Sequence, residues 1–368
     1  MTTKTQIRNF YQLNLEGSSY EIGKYQGEYM KQHPDHLKFF TSGQFNLAKS
    51  SFNSPKDVLE FYNTYVPGIK EEFEGFAEGS GVRLEKIIPI DFPNGLVNNC
   101  SNIGIHPSIS DDGHVILART YDWNYDDEDM RLLSTKVNGG YRHVGFSLLL
   151  AGRGDGLNEA GLCVMMAGGG AWDYKLPKKP AMNFSFAIRS LLDRCNSTEQ
   201  AVSKLLEMPV NTSTNYTIGD KSGKMVVVEG IDCEFEVRDL DDNNQIYSVN
   251  DYRSEGLSEY NKYVNDYLIA MNKYRWDKIG EFFNGDSKIK IDDLRTLLSS
   301  PKPYGLCTPH YSEFFGVLWT QIFDLTDLKM HACMGTPGYN PWEEYRVGPM
   351  EEKIIQAKFV DSPSGFNG

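Results

Sequence analysis

The fold is decided by two apolar stretches, Asn98-Asn99-Cys100-Ser101-Asn102-Ile103-Gly104-Ile105 and Val115-Ile116-Leu117-Ala118-Arg119-Thr120-Tyr121-Asp122-Trp123, which flank the turn residues Asp111-Asp112-Gly113. This pattern predicts two antiparallel strands of one hairpin. The hairpin brings Cys100 back beside Arg119 and Asp122. A thiol with a cation and a carboxylate close to it is the arrangement of an activated nucleophile.

The alternative is a buried, inert Cys100 with Arg119 in a strand-end ion pair, because free cysteine is among the most buried residue types. The short signature that surrounds the cysteine of papain-like enzymes is missing around Cys100. A general base therefore has to come from elsewhere. Cleavage of the bond between Asn99 and Cys100 supplies one, since the new α-amine has an ordinary pKa of about 7.7–8.0.

The order of these motifs resembles that of a known family. Cys100 and the Arg-x-x-Asp-Trp of residues 119–123 are preceded by residues 17–28 and 71–82 and followed by residues 156–162 and 249–251. The chain is similar to the autoproteolytic N-terminal-nucleophile acyltransferases and hydrolases typified by acyl-CoA:6-aminopenicillanate acyltransferase. These enzymes are relatives of the choloylglycine hydrolases, which include bile-salt hydrolases and penicillin V acylases.

The pattern along the chain predicts an α+β fold. Strands, then paired helices over residues 184–195 and 197–208, then further strands indicate stacked helix and sheet layers. The resemblance implies the four-layer αββα sandwich of N-terminal nucleophile hydrolases. Residues 1–99 are mainly helical in pattern and are predicted to be a pro-segment that wraps the fold rather than joining a sheet. After self-cleavage this pro-segment remains associated, as a small chain, with the catalytic domain of residues 100–368.

The resemblance assigns three catalytic roles around the hairpin. Cys100 attacks the Asn99 carbonyl in the precursor and the substrate afterwards. Arg119 favours the thiolate and orients substrate, and Asp122 accepts a hydrogen bond from the new α-amine. The family more often has glycine in place of Asn99, so an uncut chain stays an alternative.

Further site residues follow from the same resemblance. Asn250 corresponds to an asparagine that donates to the developing oxyanion, although Asn-Asp also ends many strands as a turn. Tyr121 lines the substrate site or simply packs, and a backbone amide of Gly168 or Gly169 substitutes for a second polar donor. Arg275 resembles a substrate-site arginine on a late helix, the alternative being a solvated helix face.

The predicted activity is hydrolysis or transfer of acyl groups at linear carbon–nitrogen amide bonds through a Cys100 acyl-enzyme. Candidate substrates are N-acyl amino acids, penicillin-type amides and bile-salt-type amides, with acyl-CoA as a second candidate donor. Neither a metal nor an organic cofactor is expected. Two alternatives stay open: an uncleaved cysteine hydrolase that uses a distant base such as His310, and a binding or scaffold protein of the same fold.

Composition narrows the class of partner. The 368 residues carry a net charge of −13, which argues against nucleic acid and anionic membranes as partners. The sequence shows neither a signal peptide nor an apolar run long enough to span a membrane, so a cytoplasmic protein is expected. Six cysteines without a Cys-x-x-Cys pair predict neither a zinc site nor a disulfide framework. A homo-oligomer is compatible with the resemblance.

Overall fold

The structure is a computed structural model that describes residues 4–41, 51–88, 100–171, 173–175, 179–285, 288–313 and 315–362. The predicted cleavage residue Asn99 lies outside these ranges, and Cys100 is the first residue of the third range. Within the described ranges, every helix is too short or too polar to cross a lipid bilayer.

The N-terminal part begins with a strand and continues with helices: β1 (Thr5–Gly17), α1 (Ser19–Lys31), α2 (Pro34–Thr41), α3 (Pro55–Tyr65) and α4 (Ile69–Ser80). Helix α1 starts at a capping box formed by Ser18 and Glu21. Helix α3 starts at the cap residue Ser54, whose side chain accepts a hydrogen bond from the amide of Asp57. Helix α4 ends at Gly81, which adopts a left-handed conformation with φ +73°.

Four glycines lie where α1 packs against α4, and these are Gly23, Gly27, Gly75 and Gly79. A Cβ atom added to Gly23 would lie 1.9 Å from the carbonyl oxygen of Glu72, and one added to Gly75 would lie 2.2 Å from that of Tyr20. Both distances are far shorter than a non-bonded contact. The two helix backbones therefore approach to a distance that only glycine permits.

The remaining strands are β2 (Ser101–Ile105), β3 (Ile116–Trp123), β4 (Arg131–Val137), β5 (His143–Leu148), β6 (Gly152–Arg153), β7 (Asp155–Asn158), β8 (Leu162–Gly168), β9 (Thr214–Asp220), β10 (Met225–Ile231), β11 (Glu234–Asp239), β12 (Gln245–Ser248), β13 (Pro309–His310), β14 (Phe315–Asp324), β15 (Lys329–Met334), β16 (Trp342–Arg346) and β17 (Lys353–Val360). The remaining helices are α5 (Phe184–Arg194), α6 (Thr198–Leu206), α7 (Asp266–Phe283) and α8 (Ile291–Ser299). Short 3-10 helices occupy Leu84–Lys86, Ser258–Tyr263 and Tyr311–Glu313.

These strands form two sheets. The large sheet has the spatial order β11-β10-β9-β8-β7-β5-β4-β1-β17, with β6 paired to β5. The small sheet has the order β12-β2-β3-β14-β15-β16, with β13 paired to β14. Strands β2 and β3 pair antiparallel, with Ser101 opposite Thr120 and Asn102 opposite Arg119, which confirms the predicted hairpin.

The layers are stacked in the order helix, sheet, sheet, helix. Helices α5 and α6 pack on the large sheet, and α7 and α8 pack on the small sheet. One hydrophobic core lies between the sheets and includes Phe146, Val164 and Trp319, while a second core between the small sheet and its helices includes Ile103 and Leu298. This is the predicted α+β four-layer αββα sandwich.

The expectation that residues 1–99 stay outside the sheets is wrong. Strand β1 lies inside the large sheet, antiparallel to β17 and parallel to β4. Its Phe10, Leu13 and Leu15 are almost completely buried. Both faces of the strand are covered over residues 10–13, so this part of the sequence lacks clear period-two polarity.

Candidate active site

The register of the hairpin places Cys100 beside Arg119 on the face of the small sheet that meets the large sheet. Extending the pairing by one residue puts Cys100 opposite Tyr121, and residues directly opposite each other share a face. Arg119 Nη2 lies 3.2 Å from Cys100 Sγ. Both side chains are completely buried. The predicted cation is therefore in contact with the predicted nucleophile.

Arg119 is held in place by the buried Asp155, so the strand-end ion pair considered as the alternative is wrong. Its Nη1 donates to Asp155 Oδ2 at 2.9 Å and to the carbonyl oxygen of Gly154 at 3.0 Å. Asp155 is completely buried and also accepts from Gln321 Nε2 at 3.0 Å and from the backbone amide of Phe146 at 3.0 Å. These bonds fix the guanidinium with its other nitrogen facing the sulfur.

The thiol is neutral in this environment. Burial raises the pKa of Cys100 to about 11, although the charge of Arg119 acts in the opposite direction. The pKa of a thiol must lie nearer neutrality for a substantial thiolate population at neutral pH. A nucleophilic role for this thiol would therefore require a base that removes its proton.

Asn250 contacts the α-nitrogen of Cys100. It follows β12, which pairs with β2, and its Oδ1 accepts a hydrogen bond from the Cys100 amide at 2.7 Å. Its Nδ2 donates to the carbonyl oxygen of Gly168 at 3.0 Å. The carbonyl oxygen of Asn250 in turn accepts from Asn272 Nδ2 on α7 at 2.7 Å. Asn250 is thus the side chain that binds the Cys100 α-nitrogen in this structure, and the role of Asp122 toward a new α-amine stays a prediction.

Asp122 lies on the opposite face of β3 and is joined to helix α7. Its Oδ2 forms an ion pair with Arg275 Nη2, and the same nitrogen donates to Thr308 Oγ1 at 2.6 Å. Asp122 and Arg275 are both completely buried, so the solvated helix face considered for Arg275 is wrong. Burial raises the pKa of the Asp122 carboxyl, and the charge of Arg275 opposes this effect. Among the described residues, none donates a hydrogen bond to Asp122 Oδ1.

Tyr121 packs beneath the site. Its ring stacks on Trp319 with centroids 4.2 Å apart, and the guanidinium carbon of Arg119 lies 5.0 Å from its centroid. The Tyr121 hydroxyl donates to Glu128 Oε2. Glu128 also accepts from the Asp129 amide at 2.6 Å, and burial raises its pKa to about 8. The Tyr121 ring therefore packs against the Arg119 guanidinium and helps to hold it in place.

The backbone at Gly168 and Gly169 agrees only in part with the expectation that one of its amides faces the substrate. The carbonyl oxygen of Gly168 contacts the site through Asn250 Nδ2. The amide of Gly169 donates to the carbonyl oxygen of Ser213 at 3.0 Å. The expectation that the Gly169 amide faces a substrate oxygen is therefore not met, because β8 and β9 continue their pairing up to this residue.

No imidazole hydrogen-bonds to Cys100 within the described residues, which contain all seven histidines. His310, the alternative base, hydrogen-bonds through Nδ1 to the carbonyl oxygen of Ser362 at 2.7 Å. His114, Asp324 and Asp327 are residue types that can bind a metal ion, and their potential ligand atoms lie within 4.8 Å of one another. His114 Nδ1 already lies 2.8 Å from Asp324 Oδ2, which makes this group a hydrogen-bonded His–Asp pair.

Sequence reasoning missed Asp155, Asn272 and Thr308. Asp155 had a visible signal, since it directly precedes the motif of residues 156–162 and places a carboxylate within a buried strand region. A buried carboxylate requires a buried cation. Asn272 and Thr308 had no comparable signal, because their contacts depend on how α7 packs on the small sheet.

Similarity to individual known proteins is low. No curated protein sequence matched the chain. A mutant conjugated bile acid hydrolase from Clostridium perfringens aligns over 73% of this chain and 100% of its own, with 13% identity and a TM-score of 0.47. The penicillin V acylase from Agrobacterium tumefaciens aligns over 70% of this chain and 90% of its own, with 17% identity and a TM-score of 0.44.

A family model gives the stronger result. Residues 109–339, more than half of the chain, match the model of acyl-coenzyme A:6-aminopenicillanic acid acyl-transferase. The matched range begins after Cys100 and contains Arg119, Asp122, Asn250 and Arg275. This match confirms the resemblance predicted from the motifs, and the chain belongs to the acyl-coenzyme A:6-aminopenicillanic acid acyl-transferase family.

Proposed function

We propose that this chain is an amide hydrolase or acyltransferase that acts on linear carbon–nitrogen bonds through a thioester on Cys100. The observation that carries the proposal is the pair of contacts at one residue: Arg119 Nη2 at 3.2 Å from Sγ and Asn250 Oδ1 at 2.7 Å from the α-nitrogen. An inert buried cysteine needs neither of them. N-acyl amino acids and penicillin-type or bile-salt-type amides are the proposed substrates, with acyl-CoA as a further acyl donor.

Maturation is proposed to occur by self-cleavage before Cys100. The thiol adds to the Asn99 carbonyl, the carbon–nitrogen bond breaks as the carbon–sulfur bond forms, and the released α-nitrogen takes up the thiol proton. Water then hydrolyses the thioester, which leaves a carboxylate on Asn99 and a free amine on Cys100. The mature thiol repeats the first step on a substrate amide.

The new α-amine is the proposed general base. Burial holds the thiol in its neutral form, so a base adjacent to the sulfur is required for attack. Asn250 Oδ1 keeps the α-nitrogen in position, and Asp122 Oδ1, which accepts no hydrogen bond from any described residue, can accept from one of the protons that cleavage adds. We further propose that Asn250 Nδ2, which donates to the carbonyl oxygen of Gly168 in this structure, turns to the oxyanion when a substrate is bound.

The small chain is proposed to stay bound after cleavage. Strand β1 is hydrogen-bonded on both sides within the large sheet. Glu72 on α4 pairs with Arg189 on α5 at 3.1 Å, and both side chains are about 2% exposed. Loss of residues 1–99 would therefore open the large sheet and expose buried charges.

Intact-mass measurement of the purified protein tests this proposal. We expect two masses corresponding to residues 1–99 and 100–368, and one uncut mass for Cys100→Ala. Cys163→Ala, which removes another buried thiol in β8, is the matched control and should be cut like the wild type. An uncut wild-type chain that hydrolyses amides favours the histidine alternative, and an uncut chain without activity favours a scaffold.

The activity itself is tested with N-acyl amino acids of graded chain length and aromaticity. The cut protein should release the acyl acid, and hydroxylamine should trap the acyl group as a hydroxamate. Cys100→Ser keeps a hydroxyl in place of the thiol and should lose most of the rate. Equal turnover by Cys100→Ala and wild type would contradict the role of Cys100.

A further inference from the structure

Helix α7 forms a wall shared by the candidate active site and a separate cavity. Its Arg275 reaches Asp122, whereas its Lys273, Trp276 and Asp277 line a cavity of about 390 Å³. The volume is in the range of small-molecule sites, about 300–1,000 Å³. Nothing in the proposed acyl transfer uses this cavity.

The charged groups of the cavity balance one another. Asp251 and Asp277 supply two carboxylates, and Arg253 and Lys273 supply two cations. Lys273 Nζ lies 2.6 Å from Asp277 Oδ2, and Arg253 binds Asp251 through Nε at 2.9 Å and Nη2 at 2.6 Å. Arg253 Nη1 hydrogen-bonds to no described residue. Each pair keeps hydrogen-bonding capacity beyond these contacts, since a carboxylate oxygen can accept a second bond and Arg253 and Lys273 have further N–H groups. A ligand carrying both signs can engage the carboxylates and the cations together, whereas a ligand with a single charge can engage only one kind.

An aromatic surface stands between these charges. The Arg253 guanidinium carbon lies 4.1 Å from the centre of the Trp276 ring. Trp276 also packs against Tyr247, with ring centroids 4.2 Å apart, and this contact holds the indole in place. Indole faces attract ammonium groups and apolar side chains alike. Because Arg253 and Tyr247 already cover much of the indole, an apolar ligand body would contact Val264 and Ile269, which line the cavity together with Trp276.

The inner wall connects the cavity to the nucleophile. Asn272, which is 2% exposed, lines the cavity and donates to the carbonyl oxygen of Asn250 at 2.7 Å. Asn250 in turn accepts from the amide of Cys100. Asn272 Oδ1 is buried and accepts no hydrogen bond from any described residue, so this link to Asn250 includes an acceptor without a donor. Asp251, at the cavity, directly follows Asn250 in the chain.

We propose that this cavity binds a small zwitterion of the α-amino acid class and that its occupancy changes the reactivity of Cys100 through Asn272 and Asn250. The ligand ammonium lies toward Asp251, and its carboxylate lies toward Arg253 Nη1 and Lys273. The effect on acyl transfer rests on the proposed function, whereas the binding does not. For an enzyme that releases amino acids from N-acyl amino acids, such a site reports the concentration of the amine product.

Calorimetric titration of full-length Cys100→Ser protein tests the binding. L-Phenylalanine should bind with a Kd near or below about 1 mM, and at least about tenfold more tightly than 3-phenylpropionate or 2-phenylethylamine, which each carry one of its two charges. Arg253→Gln and Lys273→Gln should each weaken binding about tenfold. Lys278→Gln is the matched control, because Lys278 lies on the same helix, pairs with Glu281 and does not line the cavity. Thermal melts establish that each variant is folded.

The coupling is tested on wild-type protein by the rate of Cys100 alkylation with iodoacetamide. Phenylalanine should change this rate at least about twofold in wild type and leave it unchanged in Arg253→Gln. No binding at about 10 mM, equal binding of a single-charge analogue, or an unchanged alkylation rate in the occupied protein overturns the proposal. An uncut, inactive chain would refute the proposed function alone, since the titration uses no turnover.

Discussion

Arg119 and Asp155 form an ion pair in which both side chains are completely buried, with Nη1 2.9 Å from Oδ2. The second terminal nitrogen of Arg119 lies 3.2 Å from Cys100 Sγ. Asp155 thus sets the direction of the cation that faces the thiol. A buried charge of this kind is tolerated only with its partner and hydrogen bonds in place.

Asp155→Asn should lower the free energy of unfolding by about 3–5 kcal/mol, because it leaves the buried Arg119 without its carboxylate. Asparagine offers one oxygen where Asp155 offers two, so some of the donors now bound lose their acceptor. Urea denaturation measures the loss. The control is Asp239→Asn, which removes an exposed ion pair with Lys224 and should cost about 0–1 kcal/mol. Equal costs for the two variants would contradict this account.

Asn250→Ala should reduce kcat for amide hydrolysis by about 10²–10³-fold, the usual effect of removing one oxyanion-type donor. The substitution also removes the acceptor that holds the Cys100 α-nitrogen. Initial rates with an N-acyl amino acid at saturation provide the measurement. Asn340→Ala deletes an amide that bonds the carbonyl oxygens of Thr336 and Lys358, and its rate should stay close to that of wild type. A wild-type kcat in Asn250→Ala would exclude both roles.

The sequence predicts the hairpin because it depends on short-range signals, whereas the four-layer order is implied by the family resemblance. Asp111-Asp112-Gly113 between apolar stretches is sufficient to bring Cys100 and Arg119 together. The residues that pair with Arg119 and Asp122 are harder to predict from the sequence. Asp155 reaches Arg119 from the opposite sheet, and Arg275 reaches Asp122 from helix α7, so both contacts require the packing of distant elements.

The pairing of strand β1 is also difficult to predict from the sequence. Its pairing partners, β4 and β17, lie more than a hundred residues away in sequence, and no turn signal next to β1 indicates either pairing. Its hydrogen bonds to both neighbours join residues 1–99 to the domain that follows. A pattern-based boundary at Cys100 therefore marks a predicted cleavage point and not a boundary between independently folded units.

Glu128→Gln should remove part of the pH dependence of stability between about pH 5 and pH 8. Burial raises the pKa of folded Glu128 to about 8, above the ordinary value of about 4.3 in the unfolded chain. The folded state then binds the extra proton in this interval, so this group stabilises the fold at low pH and its contribution is lost as the pH rises through about 8. Glutamine keeps an acceptor for Tyr121 but cannot titrate.

Thermal unfolding of both proteins at several pH values provides the measurement. The wild-type midpoint should fall between pH 5 and pH 8 more steeply than that of Glu128→Gln. Glu255→Gln, which changes an exposed carboxylate outside the site, serves as control and should follow the wild-type curve. Parallel curves for wild type and Glu128→Gln would show that Glu128 is ionised throughout.

Gly75→Ala should lower the free energy of unfolding by about 1–3 kcal/mol, because the added methyl group forces α1 and α4 apart. The new Cβ would lie 2.2 Å from the carbonyl oxygen of Tyr20, a backbone atom that cannot move alone. Gly280→Ala in α7 is the matched control, since its Cβ would meet nothing nearer than the Tyr247 hydroxyl at 3.5 Å. There alanine should raise the free energy of unfolding by about 0.5–1 kcal/mol through its better helix propensity. Urea denaturation measures the free energy of unfolding of both variants. Changes of opposite sign would establish that the N-terminal helices depend on close backbone approach and not on glycine flexibility. A gain in both variants would refute this explanation.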